Sequence, residues 1–204
     1  MAHALLAFVV VSAVVICTPG QDTALTIRNA LTGGRRTGVA TAGGVALGQA
    51  VWTVASCAGV VAVLTASEPV FRALKLAGAV YLVYLGIASI AAARRGHRGE
   101  RTFRSATPLT ASDGLRQGLL SNLGNPKMAV FFASLLPQFA SSGGAGLLAL
   151  GFLFCALTFA WLSLYAVTVA RVGHLLTGNA RRALDALTGL VLVALGLRLA
   201  TERR

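Results

Sequence analysis

The sequence predicts an all-α polytopic membrane protein. The prediction is about six transmembrane helices, arranged as two inverted three-helix repeats with the first helix of each repeat broken. Three observations carry it. Hydrophobic residues make up 56% of the 204 residues and charged residues 12%, about half the ~25% of an average soluble chain. The charges cluster, so residues 37–67 and 128–170 have none. Helix breakers fall early in each half, at Pro19-Gly20 and at Asn125-Pro126.

A bilayer core about 30 Å thick needs about 20 helical residues. The first span runs from about Ala4 to Thr18 and is slightly short. Residues 1–21 hold no Lys or Arg, and Thr18-Pro19-Gly20 is a poor cleavage site. It therefore reads as a retained span rather than a signal peptide. The second span lies within residues 37–67, and the third is about Phe71 to Ala93. The fourth is about Leu115 to Leu136 and contains Lys127 near its middle. Pro137 and Ser141-Ser142-Gly143-Gly144 divide the second uncharged run, so the fifth span is about Leu147 to Val169 and the sixth about Ala183 to Ala200. The chain reads as a single transmembrane domain over residues 1–204: one half about 1–93, a basic linker about 94–113, and a second half about 114–204. The linker is polar, contains Pro108 and suits a flexible hinge.

Charge predicts the orientation. The loop after span one carries Arg28, Arg35 and Arg36. The loop after span three carries Arg94, Arg95, Arg98, Arg101 and Arg104, with Arg116 at its edge, and the loop after span five carries Arg171, Arg181 and Arg182. The positive-inside rule places these three loops in the cytoplasm and both termini outside a cell membrane, although Arg198, Arg203 and Arg204 pull the other way. The net charge of +12 then belongs beside anionic lipid, so the bilayer is the expected partner. Nucleic acid is not, because no basic patch is interleaved with aromatics.

The two halves resemble each other. Span three places Gly78 near its start and Leu85-Gly86 near its end; span six does the same with Gly189 and Leu195-Gly196. Three spans per half would insert the second half upside down. In such inverted repeats, interrupted helices at corresponding positions mark the binding site.

Pro19 lacks an amide donor and Gly20 relaxes the backbone. A break within lipid frees amides and carbonyls that can hold a carboxylate or an ammonium; a break at the interface simply ends the span. Both readings stay open for Pro19, Gly20 and Gln21. Asp22 is the acid nearest the first break. Buried, it needs a functional partner; beyond the membrane edge, it is merely solvated. Lys127 is flanked by Leu119, Leu120 and Leu123 on one side and by Met128, Val130, Phe131 and Phe132 on the other. A lysine there must be compensated by a wet cavity, a carboxylate such as Asp22 or a bound anion, unless it snorkels to the interface. Asn122, Asn125 and Pro126 crowd the same turn, and Pro126 is expected to leave the carbonyl of Asn122 without its helical partner. In span two, Gly44 and Gly48 stand in GxxxG spacing and suit close helix packing; Gln49 either lines a path or bonds a neighbouring helix. Gly78 and Gly86 read as packing positions in span three. Trp52, Trp161, Tyr81, Tyr84 and Tyr165 read as core or interface aromatics.

Several functions lack their residues. His3, His97 and His174 lie at the chain start or in loops and no ligand spacing exists, so no metal or other cofactor is expected. There is no Walker motif, and no GxSxG or Ser/His arrangement lies within a span, so the chain is not expected to be an enzyme. Cys17, Cys57 and Cys155 are widely separated and form no CxxC, which disfavours a membrane thiol carrier.

These segments resemble the LysE/RhtB family of amino-acid exporters. Thr18-Pro19-Gly20-Gln21-Asp22 stands where that family ends its first helix with Pro-Gly-Pro. Gly34-Arg35-Arg36-Thr37-Gly38 is similar to its basic start of helix two, with Gly43-Gly44 and Gly48 following. Lys75-Leu76-Ala77-Gly78-Ala79-Val80-Tyr81-Leu82-Val83-Tyr84-Leu85-Gly86 matches its third-helix motif, and Asn122-Leu123-Gly124-Asn125-Pro126-Lys127 through Leu136-Pro137-Gln138-Phe139 matches its most distinctive segment. Gln21 and Asp22 replace the family's Pro and Asn, so substrate range and coupling ion need not follow the family. The resemblance implies a secondary transporter that exports an amino acid or close derivative, coupled to proton antiport. The rivals are a channel or cation exporter on the same fold. Small-residue faces allow a homodimer without requiring one.

Overall fold

A computed structural model describes residues 2–18, 20–59, 67–95, 109–136, 143–173 and 178–201. Every regular element among them is helical. Helix α1 is Ala2–Cys17, α2 Gln21–Cys57, α3 Glu68–Arg95 and α4 Ala111–Leu123. Helix α5 is Pro126–Val130, continued by a π-helical turn over Phe131–Leu135; α6 is Gly143–Gly173 and α7 Gly178–Thr201. Much of the predicted linker, residues 96–108, lies outside the described residues, as do Pro137, Gln138 and Phe139.

Helix α2 is not one rod. A Cβ built on Gly38 would stand 3.1 Å from the Cα of Ala30. In a straight helix these residues would be about 12 Å apart. The chain therefore reverses at Gly34, whose φ of 76° and ψ of −175° lie outside the helical region. The result is a helical hairpin with a short arm, residues 21–33, and a long arm, residues 35–57. Asn29 Nδ2 donates to Thr41 Oγ1 across the arms at 2.9 Å. A side chain at this φ and ψ costs about 1–3 kcal/mol, so Gly34→Ala should lower the thermal midpoint of the purified protein in detergent; an unchanged midpoint would contradict the turn.

This corrects the loop expected after the first span. Residues 21–33 are helical despite their modest hydropathy because Leu25, Thr26, Asn29, Ala30 and Leu31 are buried against neighbouring helices. Arg28, expected to be a loop charge, bonds through one guanidinium nitrogen to Asn29 Oδ1 at 3.2 Å and Gln117 Oε1 at 3.3 Å.

Glycine sets how closely the helices approach. The long arm of α2 runs alongside α4. A Cβ on Gly44 would collide with the carbonyl of Leu115, and one on Gly118 with the carbonyl of Thr41. A Cβ on Gly114 would come within 2.6 Å of the Thr37 carbonyl. Helices α3 and α7 meet in the same way: a Cβ on Gly86 would stand 2.6 Å from the carbonyl of Gly189, and one on Gly189 2.8 Å from that of Gly86. Gly78 meets the carbonyl of Gly124, where α4 ends. On an adjoining face the long arm packs against α6, with Ala42, Val45 and Leu162 in one cluster. A larger cluster joins Phe8, Trp52, Met128, Phe131, Phe132, Leu136, Leu147 and Phe154.

The polarity of the fold is inverted relative to a water-soluble globule. Val10, Val14, Val80, Ile87, Leu164 and Leu190 face outward, each more than half exposed, whereas Thr26, Asn29, Thr41, Gln49, Thr53 and Asn122 are almost fully buried. That is the arrangement of a protein solvated by hydrocarbon, in which polar groups find partners inside. By length and composition Gly144–Val172 is able to cross a membrane, and Leu5–Cys17, Leu76–Ala91 and Ala186–Arg198 are shorter apolar helices.

Candidate functional site

Two helix interruptions meet inside this fold. The first separates α1 from α2. Pro19 lies outside the described residues, and Gly20 is extended, with its carbonyl accepting from the amide of Ala24 at 3.0 Å. The second separates α4 from α5. Asn125 is extended and caps α5, its Oδ1 accepting from the Lys127 amide at 3.1 Å. Pro126 follows at the first helical position, where an amide has no helical partner to lose.

The interruptions lie against each other, one helix start beside the other helix end. Asp22, in the first turn of α2 and partly buried, accepts from Ser121 Oγ at 3.0 Å, Asn122 Nδ2 at 2.9 Å and Asn125 Nδ2 at 3.1 Å. Gln21 is buried and its Nε2 donates to the carbonyl of Ser121 at 2.5 Å. On the far side, Lys127 Nζ donates to the carbonyl of Val15 at 2.7 Å and, more weakly, to that of Thr18 at 3.4 Å. The last carbonyls of α1 lack helical partners and carry the negative end of its dipole, so an ammonium suits them. A carboxylate suits the opposite pole at the start of α2.

Two expectations are corrected here. Lys127 is not mid-helix but in the first turn of α5, exposed, and its compensation comes from α1 carbonyls rather than from an ion pair with Asp22. The carbonyl of Asn122 is not left unpaired: it accepts from the amide of Asn125 at 3.0 Å and from Trp52 Nε1 at 3.3 Å. Gly124 and Asn125 absorb the break before Pro126 can disturb α4.

The long arm of α2 closes one wall. Gly48 faces Asn122, whose Oδ1 would lie 2.8 Å from a Cβ at that position. Gln49 Nε2 approaches Met128 Sδ at 3.7 Å. Ser121 and the Trp52 indole nitrogen are parts of the site that the sequence reading missed. Ser121 had a detectable signal: Gly114, Gly118 and Ser121 put small residues at helical spacing on one face of α4. Among the described residues no group of His, Cys, Asp and Glu is placed to hold a metal, and Cys17, Cys57 and Cys155 are unpaired thiols. The chemistry present is a carboxylate and an ammonium, each held by neutral groups, at the junction of two broken helices.

The family description "LysE type translocator" matches residues 13–203. The chain belongs to this family. The uncharacterized membrane protein YrhP of Bacillus subtilis is 29% identical over 206 residues, covering 96% of this chain and 98% of its own length. An uncharacterized membrane protein of Pseudomonas aeruginosa is 33% identical over 194 residues, covering 92% of this chain and 90% of its own. The leucine efflux protein of Klebsiella pneumoniae is 28% identical over 202 residues, covering 96% and 94%. No solved structure matches. Membership of a translocator family, beside relatives named as membrane and efflux proteins, indicates a membrane transporter.

Proposed function

We propose that this chain is a secondary transporter that exports an amino acid or close derivative from the cytoplasm, in exchange for protons. The name of the leucine efflux relatives favours an apolar amino acid as cargo. The observation that carries the reading is the meeting of the two breaks, with Asp22 against Ser121, Asn122 and Asn125 on one side and Lys127 against the end of α1 on the other. A zwitterion presents the complementary pair of charges. Its carboxylate would draw Lys127 from the α1 carbonyls, with Asn125 assisting, and Asp22 would carry the exchanged proton. Gln21, Gln49 and the backbone at Gly20 complete the lining.

In this reading the chain crosses the membrane six times in two inverted halves: α1 with the short arm of α2, the long arm, α3, α4 with α5, α6, and α7. The halves would rock about the basic linker to expose the site to either side. The Gly34 turn, the linker and the α6–α7 connection would face the cytoplasm of a cell membrane, with both termini outside. A homodimer is compatible with this topology.

The test is efflux of radiolabelled amino acids from everted vesicles and proteoliposomes, with and without a proton gradient. Lys127→Ala is expected to reduce efflux about tenfold or more, the loss of one charged hydrogen-bonding group. Unchanged efflux of every accepted solute would remove Lys127 from the substrate and coupling machinery. Saturable counterflow supports a carrier; ionic conductance would instead indicate a channel.

A further inference from the structure

On and around the long arm of α2, three buried oxygens have no hydrogen-bond partner among the described residues: Asn122 Oδ1, Gln49 Oε1 and Thr158 Oγ1. Their residues are 0%, 1% and 5% exposed. They come from three helices, and the register brings them to one level. Asn122 Oδ1 points at the long arm of α2 at Gly48, the residue before Gln49. Thr158 lies on the stripe of α6 that faces the same arm: Gly151 and Cys155 meet Thr53, Leu162 packs with Val45, and Ala166 meets Gly38. Position 158 falls between 155 and 162, which sets it opposite the stretch between Thr53 and Val45, where Gln49 stands.

Buried acceptors are nearly always paired, so three at one level of the arm call for a donor or a cation. A primary ammonium has three N–H donors and no acceptor, and a bare monovalent cation also takes neutral oxygens. Asp22 supplies nearby negative charge. Its oxygens already accept from Ser121, Asn122 and Asn125, but the Asn122 amide that donates to Asp22 turns its own oxygen toward the long arm of α2 at Gly48. Polarisation through that amide strengthens Oδ1 as an acceptor.

We infer that Asn122, Gln49 and Thr158 form a binding site for a small cationic head, either the primary ammonium of the substrate or a monovalent cation such as Na⁺. This rests on the export reading only where it names the substrate. It gives the cation three neutral oxygens as partners, with Asp22 acting through Asn122.

The experiment follows thermal unfolding of the purified full-length protein in detergent. Four probes are titrated: 3-methylbutylamine, which has the ammonium and no carboxylate; 4-methylpentanoate, which has the carboxylate and no ammonium; and sodium chloride against choline chloride. The amine should raise the unfolding midpoint and 4-methylpentanoate should not. Gln49→Met and Thr158→Val, which conserve volume, should each weaken the amine response by about tenfold, one hydrogen bond to a charged group. Thr158→Ser should restore it, which separates a lost ligand from a damaged fold. A response to sodium but not choline, lost in the same variants, supports the site with a bare cation as occupant. No response to amine or sodium, a response untouched by both variants, or an equal response to 4-methylpentanoate would overturn it. This readout needs no transport. Efflux with no response to amine or sodium sinks the cation site and leaves export standing, while an amine or sodium response without efflux does the reverse.

Discussion

Asp22→Ala is expected to reduce efflux at least about 100-fold, because three donors lose one charged acceptor and each such hydrogen bond contributes about 1.5–3 kcal/mol. Ser121, Asn122 and Asn125 would face a gap where the carboxylate stood. Two of these residues belong to α4 and the third caps α5, so the loss also loosens the junction and should lower the amount of folded protein. Asp22→Asn separates the two effects. It keeps the shape but offers an N–H₂ group to partners that are themselves donors, and it cannot exchange a proton. It should accumulate in the membrane better than the alanine variant yet remain inactive. Efflux of labelled leucine, normalised to membrane protein by immunoblot, reads both. Activity of Asp22→Asn within about twofold of wild type, a difference too small for a lost coupling group, would take Asp22 out of the mechanism.

The second large effect concerns packing. Gly44→Val places a branched side chain against the main-chain carbonyl of Leu115 and the amide of Leu119. Main chain cannot swing aside as a side chain can, so α4 and the long arm of α2 must separate. Overpacking commonly costs about 1–3 kcal/mol, and a collision with backbone should lie at or above the top of that range. The expected result is loss of the monodisperse peak in size-exclusion chromatography. Gly43 is the control: its nearest neighbour is the Phe159 ring at 3.9 Å, so Gly43→Ala should be tolerated. If Gly44→Val behaved like Gly43→Ala, the close approach of the two helices would be wrong.

The helices were legible where lipid imposes the rule. The run from Phe71 to Ala93 lies inside α3, and that from Leu147 to Val169 inside α6, because charge is costly in hydrocarbon and its absence marks a span. The breaks were legible because Pro and Gly act locally on the backbone. Residues 21–33 were not. With Arg28 inside and Arg35 and Arg36 just beyond, the segment reads as a cytoplasmic loop, and only burial against α4 shows it to be a helix. A trace was present nonetheless: Asp22, Thr26 and Asn29 recur at helical spacing, and Thr26 and Asn29 are fully buried. Trp52 reads as a generic aromatic, since nothing local reveals that its nitrogen reaches the carbonyl of Asn122 on another helix. Thr158 was invisible for the same reason, as one hydroxyl in an uncharged run.

The π-helical turn at Phe131–Leu135 has an angular consequence. Adjacent residues of an α-helix point about 100° apart, so two neighbouring rings seldom both face inward. Here Phe131 and Phe132 are both buried, in edge-to-face contact with each other, and both meet Phe154. The wide turn holds one surplus residue, which resets the rotational phase of the chain and brings Leu136 back to the interior. The aromatic wall one turn beyond Lys127 is thus aimed by a spare peptide unit rather than by side-chain choice alone.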